Sequence, residues 1–474
     1  MNNILSKVLF FVCLVLTVSC GIYQTPGFNP IIIVTCIFIG LVISLVFCFI
    51  KPDEKSINFF KIRPSHFFIV AYCIVFFQKP IDFLLGYNLD YIQIGSAMDM
   101  TTCVRLSLVG LCSFVLGYFT KIRKTIRNSD NIINYVSSPR IFIAISFLLL
   151  IMVILFVPNE ILMGGYGQSM IEKASLYNYL TAWINLFIIA YFVQFSINRR
   201  FDKTLVGSSI KKYFLSIDKG EIVVIIIYLL IILNTGDRGP LIFTFTTILF
   251  SYLIVARRNL KIKYMAPLFI IGVLFISFLG DTKQYRSNNS IIERIERTIA
   301  GSDKEKKKSF LESTEELSGS YNCLAYSVAN VPSKDDYNYG KLQLSYLFAA
   351  IPFSSVFVEP LLNLPQKSSS IISHYIQGDW VLYGNGSSCI ADLYLDGGIV
   401  GIIIGMFLFG VILHYFEIIL FDDKHFSLFL FCFALYYIGY MFYIPRSMIL
   451  GPFKYALWLY IIFLLRAKNA RSIR

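Results

Sequence analysis

Gly384-Asn-Gly-Ser-Ser-Cys-Ile-Ala-Asp-Leu-Tyr-Leu-Asp-Gly-Gly-Ile-Val-Gly401 closes the long polar loop of this chain and opens its next apolar helix. Small residues at Gly384, Gly386, Ser387 and Ser388 let a backbone approach a bulky ligand and present its amides. Asp392 and Asp396 lie four apart, so a helix puts them on one face. Gly397, Gly398 and Gly401 predict entry into a closely packed, lipid-buried stretch. A carboxylate pair at the mouth of a membrane helix is a candidate for proton transfer. The alternative is that both Asp residues only complement the positive end of the helix.

Working outward, the 474 residues are 56% hydrophobic and 15% charged. Soluble domains sit near a quarter charged, so the composition excludes them and predicts a polytopic membrane protein. The net charge of +13 is gathered in short loops between apolar spans. That is a topology signal and not a nucleic-acid surface. Most of the ten cysteines, such as Cys36 and Cys432, lie in apolar spans and read as small hydrophobes. Cys323 and Cys389 lie in the long loop, and a disulfide between them is left open. The first apolar stretch has only Lys7 ahead of it and no small-residue cleavage site, so it is expected to stay as a span.

A helix needs roughly 20 apolar residues to cross a bilayer. Twelve stretches qualify, at about 6–23, 31–50, 65–85, 102–120, 140–158, 177–197, 221–235, 240–256, 264–280, 397–420, 426–444 and 447–465. Alternate connections hold 25 Lys and Arg on one side, against four (Lys79, Lys173, Arg238 and Arg446) in the short connections of the other. This bias places both termini in the cytoplasm and the loop 281–396 outside. The expected fold is an all-α polytopic membrane protein of about 12 transmembrane helices, with one large structured loop between helices nine and ten. The chain divides accordingly into 1–280, 281–396 and 397–474. Leu342 to Val358 carries no charge but contains Pro352; it reads as an apolar helix-turn-helix against the outer leaflet. Ser290-Ile-Ile-Glu293 and Ser313 to Glu316 have the capping-box pattern, and the second of these helices should stop before Pro332.

Three outward arginines are held by short or helix-proximal segments: Asn234-Thr-Gly-Asp-Arg-Gly-Pro240, Asp281-Thr-Lys-Gln-Tyr-Arg286 and Tyr443-Ile-Pro-Arg446. A guanidinium forks onto two oxygens of an anionic group, which suits Arg238, Arg286 and Arg446, with Lys283 beside them, to phosphate. The competing use is snorkelling to lipid headgroups. There is no Gly-rich phosphate loop, no His-Glu-x-x-His and no Asp-x-Asp; metal-ligand spacing is absent and no cofactor is expected. Of four His residues, His374 alone falls in the outer loop.

The run Gly384-x-Gly-Ser-Ser-x-x-Ala-Asp-x-Tyr-x-x-x-Gly-x-x-Gly401 resembles a motif of bacterial O-antigen polymerases, the Wzy-type polymerases of oligosaccharide repeat units. Asp392 stands where many relatives carry Glu. The Thr235-Gly-Asp-Arg-Gly turn is similar too, as is the architecture of a dozen spans with one late loop. The resemblance implies a GT-C-like membrane glycosyltransferase, inverting and metal-independent, acting at the periplasmic face of the inner membrane. It would move a growing glycan from undecaprenyl diphosphate onto a sugar hydroxyl of a new lipid-linked repeat unit. Arg238, Arg286, Arg446 and Lys283 would hold the donor diphosphate. Asp392 would deprotonate or orient the acceptor hydroxyl, with Asp396, His374 and Glu359 as further candidates. Trp380, Tyr375 and Tyr383 would stack on sugars or anchor the loop. Implied partners are the undecaprenyl-diphosphate-linked units, membrane lipid and a chain-length regulator protein, with no nucleic acid. Two rivals stay open, a flippase for the same lipid-linked unit and an O-antigen ligase. A flippase should show two similar halves, and none are evident. Ligases usually carry a His just before this helix, where this chain has Ser387.

Overall fold

The computed structural model describes residues 2–22, 27–50, 62–87, 96–120, 135–162, 171–235, 239–257, 314–381, 384–421 and 426–472. Within them every regular element is helical. Among the described residues, seven helices are long and apolar enough to cross a membrane: Ile4–Ile22, Pro30–Phe49, Pro64–Leu84, Met100–Phe119, Ser175–Arg200, Gly239–Ala256 and Cys389–Phe421. Two shorter apolar helices are Arg140–Phe156 and Leu428–Gly439. The chain is therefore a polytopic, all-helical membrane protein.

Most expected spans coincide with a helix, and several differ in extent. The span expected over 426–444 is helical only from Leu428 to Gly439 and gives way to a 3-10 turn at Ile444–Arg446. The one expected from 447 begins at Phe453. The span expected at 264–280, and the first loop helix with its capping box, lie outside the described residues.

The chain packs as two compact units, one of Met1–Thr125, Glu305–Ile418 and Met441–Lys454, the other of Ile126–Lys304, Ile419–Tyr440 and Tyr455–Arg474. Packing thus groups residues across the three segments read from the sequence.

In the first unit the Cys389–Phe421 helix lies directly on the Ser96–Phe119 helix. A side chain at Gly410 would run into the Phe114 carbonyl, and one at Gly117 into the Phe407 carbonyl. Glycine is what lets two backbones approach this closely where lipid offers no hydrophobic drive between helices. Phe68, Phe114 and Phe409 fill the neighbouring space, with ring centroids 4.6 to 5.7 Å apart.

One end of these helices carries a buried polar clasp. Glu417 is fully enclosed and accepts the Ser65 amide at 2.8 Å and the Tyr118 hydroxyl at 2.5 Å. That hydroxyl accepts from Arg63 Nη1 at 2.9 Å, and Arg63 Nη2 donates to the Ile50 carbonyl at 2.9 Å. Arg63 reads in the sequence as a loop cation, but it is only 2% exposed. Burying such ions is tolerable only because every contact is hydrogen-bonded. The bonds join the end of one helix to the start of the next.

In the second unit, Gln194 crosses between segments, accepting from Ser137 Oγ at 2.8 Å and donating to the Tyr135 carbonyl at 2.8 Å. Trp183 meets Trp458 edge-on at 5.4 Å, and Phe243 packs on Tyr440 at 4.3 Å.

Candidate functional site

The motif helix starts at Cys389, so Asp392 and Asp396 lie on it as their spacing leads one to expect. Ser388 starts it: its hydroxyl accepts the Ala391 amide at 3.3 Å and its carbonyl the Asp392 amide at 2.9 Å. This is the usual N-cap arrangement, so helix forms as soon as the small-residue run ends. The glycines also mark a kink. Gly397 has φ −153° and ψ 24°, and Gly398 has φ 58° and ψ −144°. At Gly398 a side chain would be strained by the positive φ and would meet the Tyr337 ring at 3.0 Å.

The uncharged stretch after Leu342 forms two helices, Lys341–Phe348 and Ser354–Leu361, joined by a turn around Pro352. The helix that follows Thr314 is in two pieces, Glu315–Ser318 and Tyr321–Asn330, and stops before Pro332 as its sequence predicts. Thr314 donates to Gln78 at 2.6 Å, and Glu315 pairs with Lys79 at 3.5 Å. These contacts fix the segment to the last turns of Pro64–Leu84. The Ile444–Arg446 turn packs on the same helix.

Both motif carboxylates turn onto the first helix of this hairpin. Asp396 accepts three amides that open it, from Gly340 at 2.9 Å, Leu342 at 3.1 Å and Gln343 at 3.3 Å. These are amides a helix leaves without an internal partner, and a carboxylate there also meets the positive end of the dipole. Asp392 accepts Tyr346 Oη at 2.7 Å on Oδ1 and Gln343 Nε2 at 2.8 Å on Oδ2. The Tyr346 oxygen lies 3.0 Å from Ser368 Oγ and accepts the Ser368 amide at 3.1 Å; Ser368 Oγ donates to Ser387 Oγ at 3.0 Å. Burial raises the Tyr346 phenol well above its ordinary range, and the charge of Asp392 adds to this, so the phenol stays protonated and donating. The sharing of one face by the two Asp residues, expected from their spacing, is what allows this double docking.

The placements of the other sequence candidates follow from this frame. Asp392 is fully buried and Asp396 is 5% exposed, so neither opens to solvent. The sequence expected Asp392 to meet an acceptor hydroxyl; its two oxygens accept the Tyr346 hydroxyl and the Gln343 side-chain amide of the hairpin. Ser387 and Ser388 are also buried and bond inward. Gly384 is exposed, as is Gly386, which has φ +78°. The Asn385 amide is taken by Ser373 Oγ at 2.9 Å. Glu359 is half-buried on the second hairpin helix, and His374 is exposed, its Nδ1 3.1 Å from the Gly378 carbonyl. Arg446 stacks on Tyr443 at 5.2 Å. Burial pushes the Cys323 thiol up to about 12 against the opposing pull of the Arg446 charge. Cys323 Sγ in turn donates to the Asn385 carbonyl at 3.6 Å. Neither Cys323 nor Cys389 is in a disulfide. Tyr375 donates to Asp335 at 2.7 Å, and Trp380 is 83% exposed. Arg238, Lys283, Arg286 and Tyr383 lie outside the described residues.

Sequence reasoning missed Gln343, Tyr346 and Ser368. The available signal was weak: a phenol and an amide inside a stretch otherwise read as lipid-facing. It also missed Glu417 and Arg105, single ionisable residues inside apolar spans, although such residues are expensive in a membrane and mark function by default.

No solved structure matches the chain. It is similar to Protein CapE of Staphylococcus aureus, 23% identical over 397 residues that cover 80% of this chain and 78% of that protein. A family model described as O-antigen polysaccharide polymerase Wzy runs from residue 5 to residue 466, through the hairpin, the motif helix and the 3-10 turn alike, and the chain belongs to that family.

Proposed function

We propose that this chain polymerises a surface polysaccharide such as an O-antigen, moving the growing glycan from undecaprenyl diphosphate onto a fresh lipid-linked repeat unit with inversion at the transferred carbon. The family match over residues 5–466 carries this reading. The Lys and Arg bias supports cytoplasmic termini and a site on the periplasmic face of the inner membrane. It persists although Arg63 and Arg200, which contribute to it, are buried.

On this reading Arg238, Lys283, Arg286 and Arg446 neutralise the donor diphosphate, whose departure they favour by holding charge as it develops. This leaves the protein without need of a metal. Asp392 and Asp396 act as positioning residues that seat the hairpin on the motif helix. The acceptor hydroxyl is deprotonated by His374, the exposed member of the sequence candidates. The Gly378 carbonyl can only accept, so Nδ1 carries the proton and Nε2 is left as the basic nitrogen.

Sizing of lipid-linked glycans from a deletion strain tests the function. Single repeat units on the carrier lipid, with the ladder gone, are expected; an intact ladder refutes polymerisation. Accumulated lipid-linked polymer would instead identify a ligase, and single units trapped on the cytoplasmic leaflet a flippase. His374→Gln should cut polymer synthesis by about 10²–10⁴ at a normal membrane level of protein. A full-length ladder at the normal rate would remove His374 as the base, whereas the same loss from Glu359→Gln alone would transfer the role to Glu359.

A further inference from the structure

Arg105 lies in the Ser96–Phe119 helix, about 14 Å along it from its start at 1.5 Å per residue. It is 7% exposed, and its Nε and Nη1 are enclosed without a hydrogen-bond acceptor among the described residues. The ion pair found among the described residues joins Lys79 to Glu315 and leaves Arg105 aside. The contrast with Arg63 is instructive, because that arginine is equally buried but donates to a hydroxyl and to a helix-terminal carbonyl.

An arginine enclosed in an apolar span without a counter-charge among the described residues is costly, and its donors stay unsatisfied until an anion arrives. Five residues further along the same helix, a side chain at Gly110 would run into Ile390 of the motif helix, so the two helices meet close to Arg105. We propose that Arg105 is a ligand for a phosphate group of the lipid-linked substrate, reached from within the membrane-spanning part of the first unit. The identity of that ligand rests on the polymerase reading; the demand for an anion rests on the orphan guanidinium alone. The planar fork of Arg105 takes two phosphate oxygens, and the two enclosed nitrogens are the donors that gain partners. Arg105 then contacts substrate in addition to the arginines read from the loops.

Thermal unfolding of the purified full chain in nanodiscs, with and without undecaprenyl diphosphate, tests this. Wild-type protein should gain stability as the lipid is added, because a ligand that binds only the folded state raises its Tm. Arg105→Met should match or exceed the wild-type Tm without ligand, since it removes an unpaired buried charge. It should also bind undecaprenyl diphosphate at least about tenfold more weakly, and Arg105→Lys should recover part of that loss. A lower Tm for ligand-free Arg105→Met would make Arg105 a structural residue and overturn the proposal. So would undiminished stabilisation by undecaprenyl diphosphate. Phosphatidylglycerol serves as the second probe. If it stabilises the wild type equally, and Arg105→Met abolishes that effect, the anion is a bulk lipid headgroup and the substrate assignment falls. Binding is read on the protein alone, so a failed polymerisation assay and a failed Arg105 assignment are told apart.

Discussion

Gly410→Val is expected to remove nearly all folded protein from the membrane. At this position the motif helix runs against the Phe114 carbonyl and the Tyr118 amide of the Ser96–Phe119 helix, and the atoms in the way are backbone. A flexible side chain could swing aside; a helical carbonyl cannot. Overpacking in a core costs typically 1–3 kcal/mol when side chains absorb it, and about 3 kcal/mol or more is expected here. That is a large share of a net stability of roughly 5–15 kcal/mol. Tyr118 and Glu417 of the clasp sit one to two turns away, one on each of these helices, so forcing them apart breaks their hydrogen bond as well. Gly384→Ala provides the control, because nothing lies within 4 Å of a Cβ there. The measurement is the yield and Tm of monodisperse protein after mild extraction. Wild-type yield and Tm for Gly410→Val would mean that the two helices do not pack as described.

Substitutions at Asp392 should separate a positioning role from a chemical one. Asp392→Leu strands the Tyr346 hydroxyl and the Gln343 amide in a buried place, at about 1–3 kcal/mol for each unsatisfied group. The hairpin then loses one of its two carboxylate anchors, and polymer should be absent. Asp392→Asn retains an oxygen for Tyr346, and Gln343 can turn its amide to offer an acceptor to the new NH₂ group. A cost near 1 kcal/mol and a shortened but visible ladder are expected. If Asp392 were the base, Asn would be as inactive as Leu, since neither takes a proton. Complete loss of polymer by Asp392→Asn at wild-type Tm would return the residue to the chemistry.

Several features of this molecule were legible in the sequence because they follow from local rules. Apolar length announces spans, and Pro352 within an uncharged stretch announces a turn between two helices. A spacing of four puts Asp392 and Asp396 on one face. What those carboxylates face was not legible, because Gly340, Gln343 and Tyr346 lie roughly 50 residues away and reach them only through tertiary packing. The bend was not legible for a local reason: the glycines were read as the place where the helix enters a lipid-buried stretch, and Gly397–Gly398 is an interior kink as well. Arg63 shows a further limit: charge counting treats every loop cation as solvated, whereas this one ends a helix from inside.

The bend has a mechanical side. Asp396 is the last residue before it and is bonded to three amides of the hairpin, while the glycines beyond it at 410 and, across the interface, at 117 hold the rest of the helix in place. The hairpin and the first two turns of the motif helix are thereby tied into one piece, and the backbone changes direction just beyond it at Gly397–Gly398. With Phe353 at 72%, Phe357 at 69% and Leu361 at 80% exposure on its far arm, that piece ends in an oily handle.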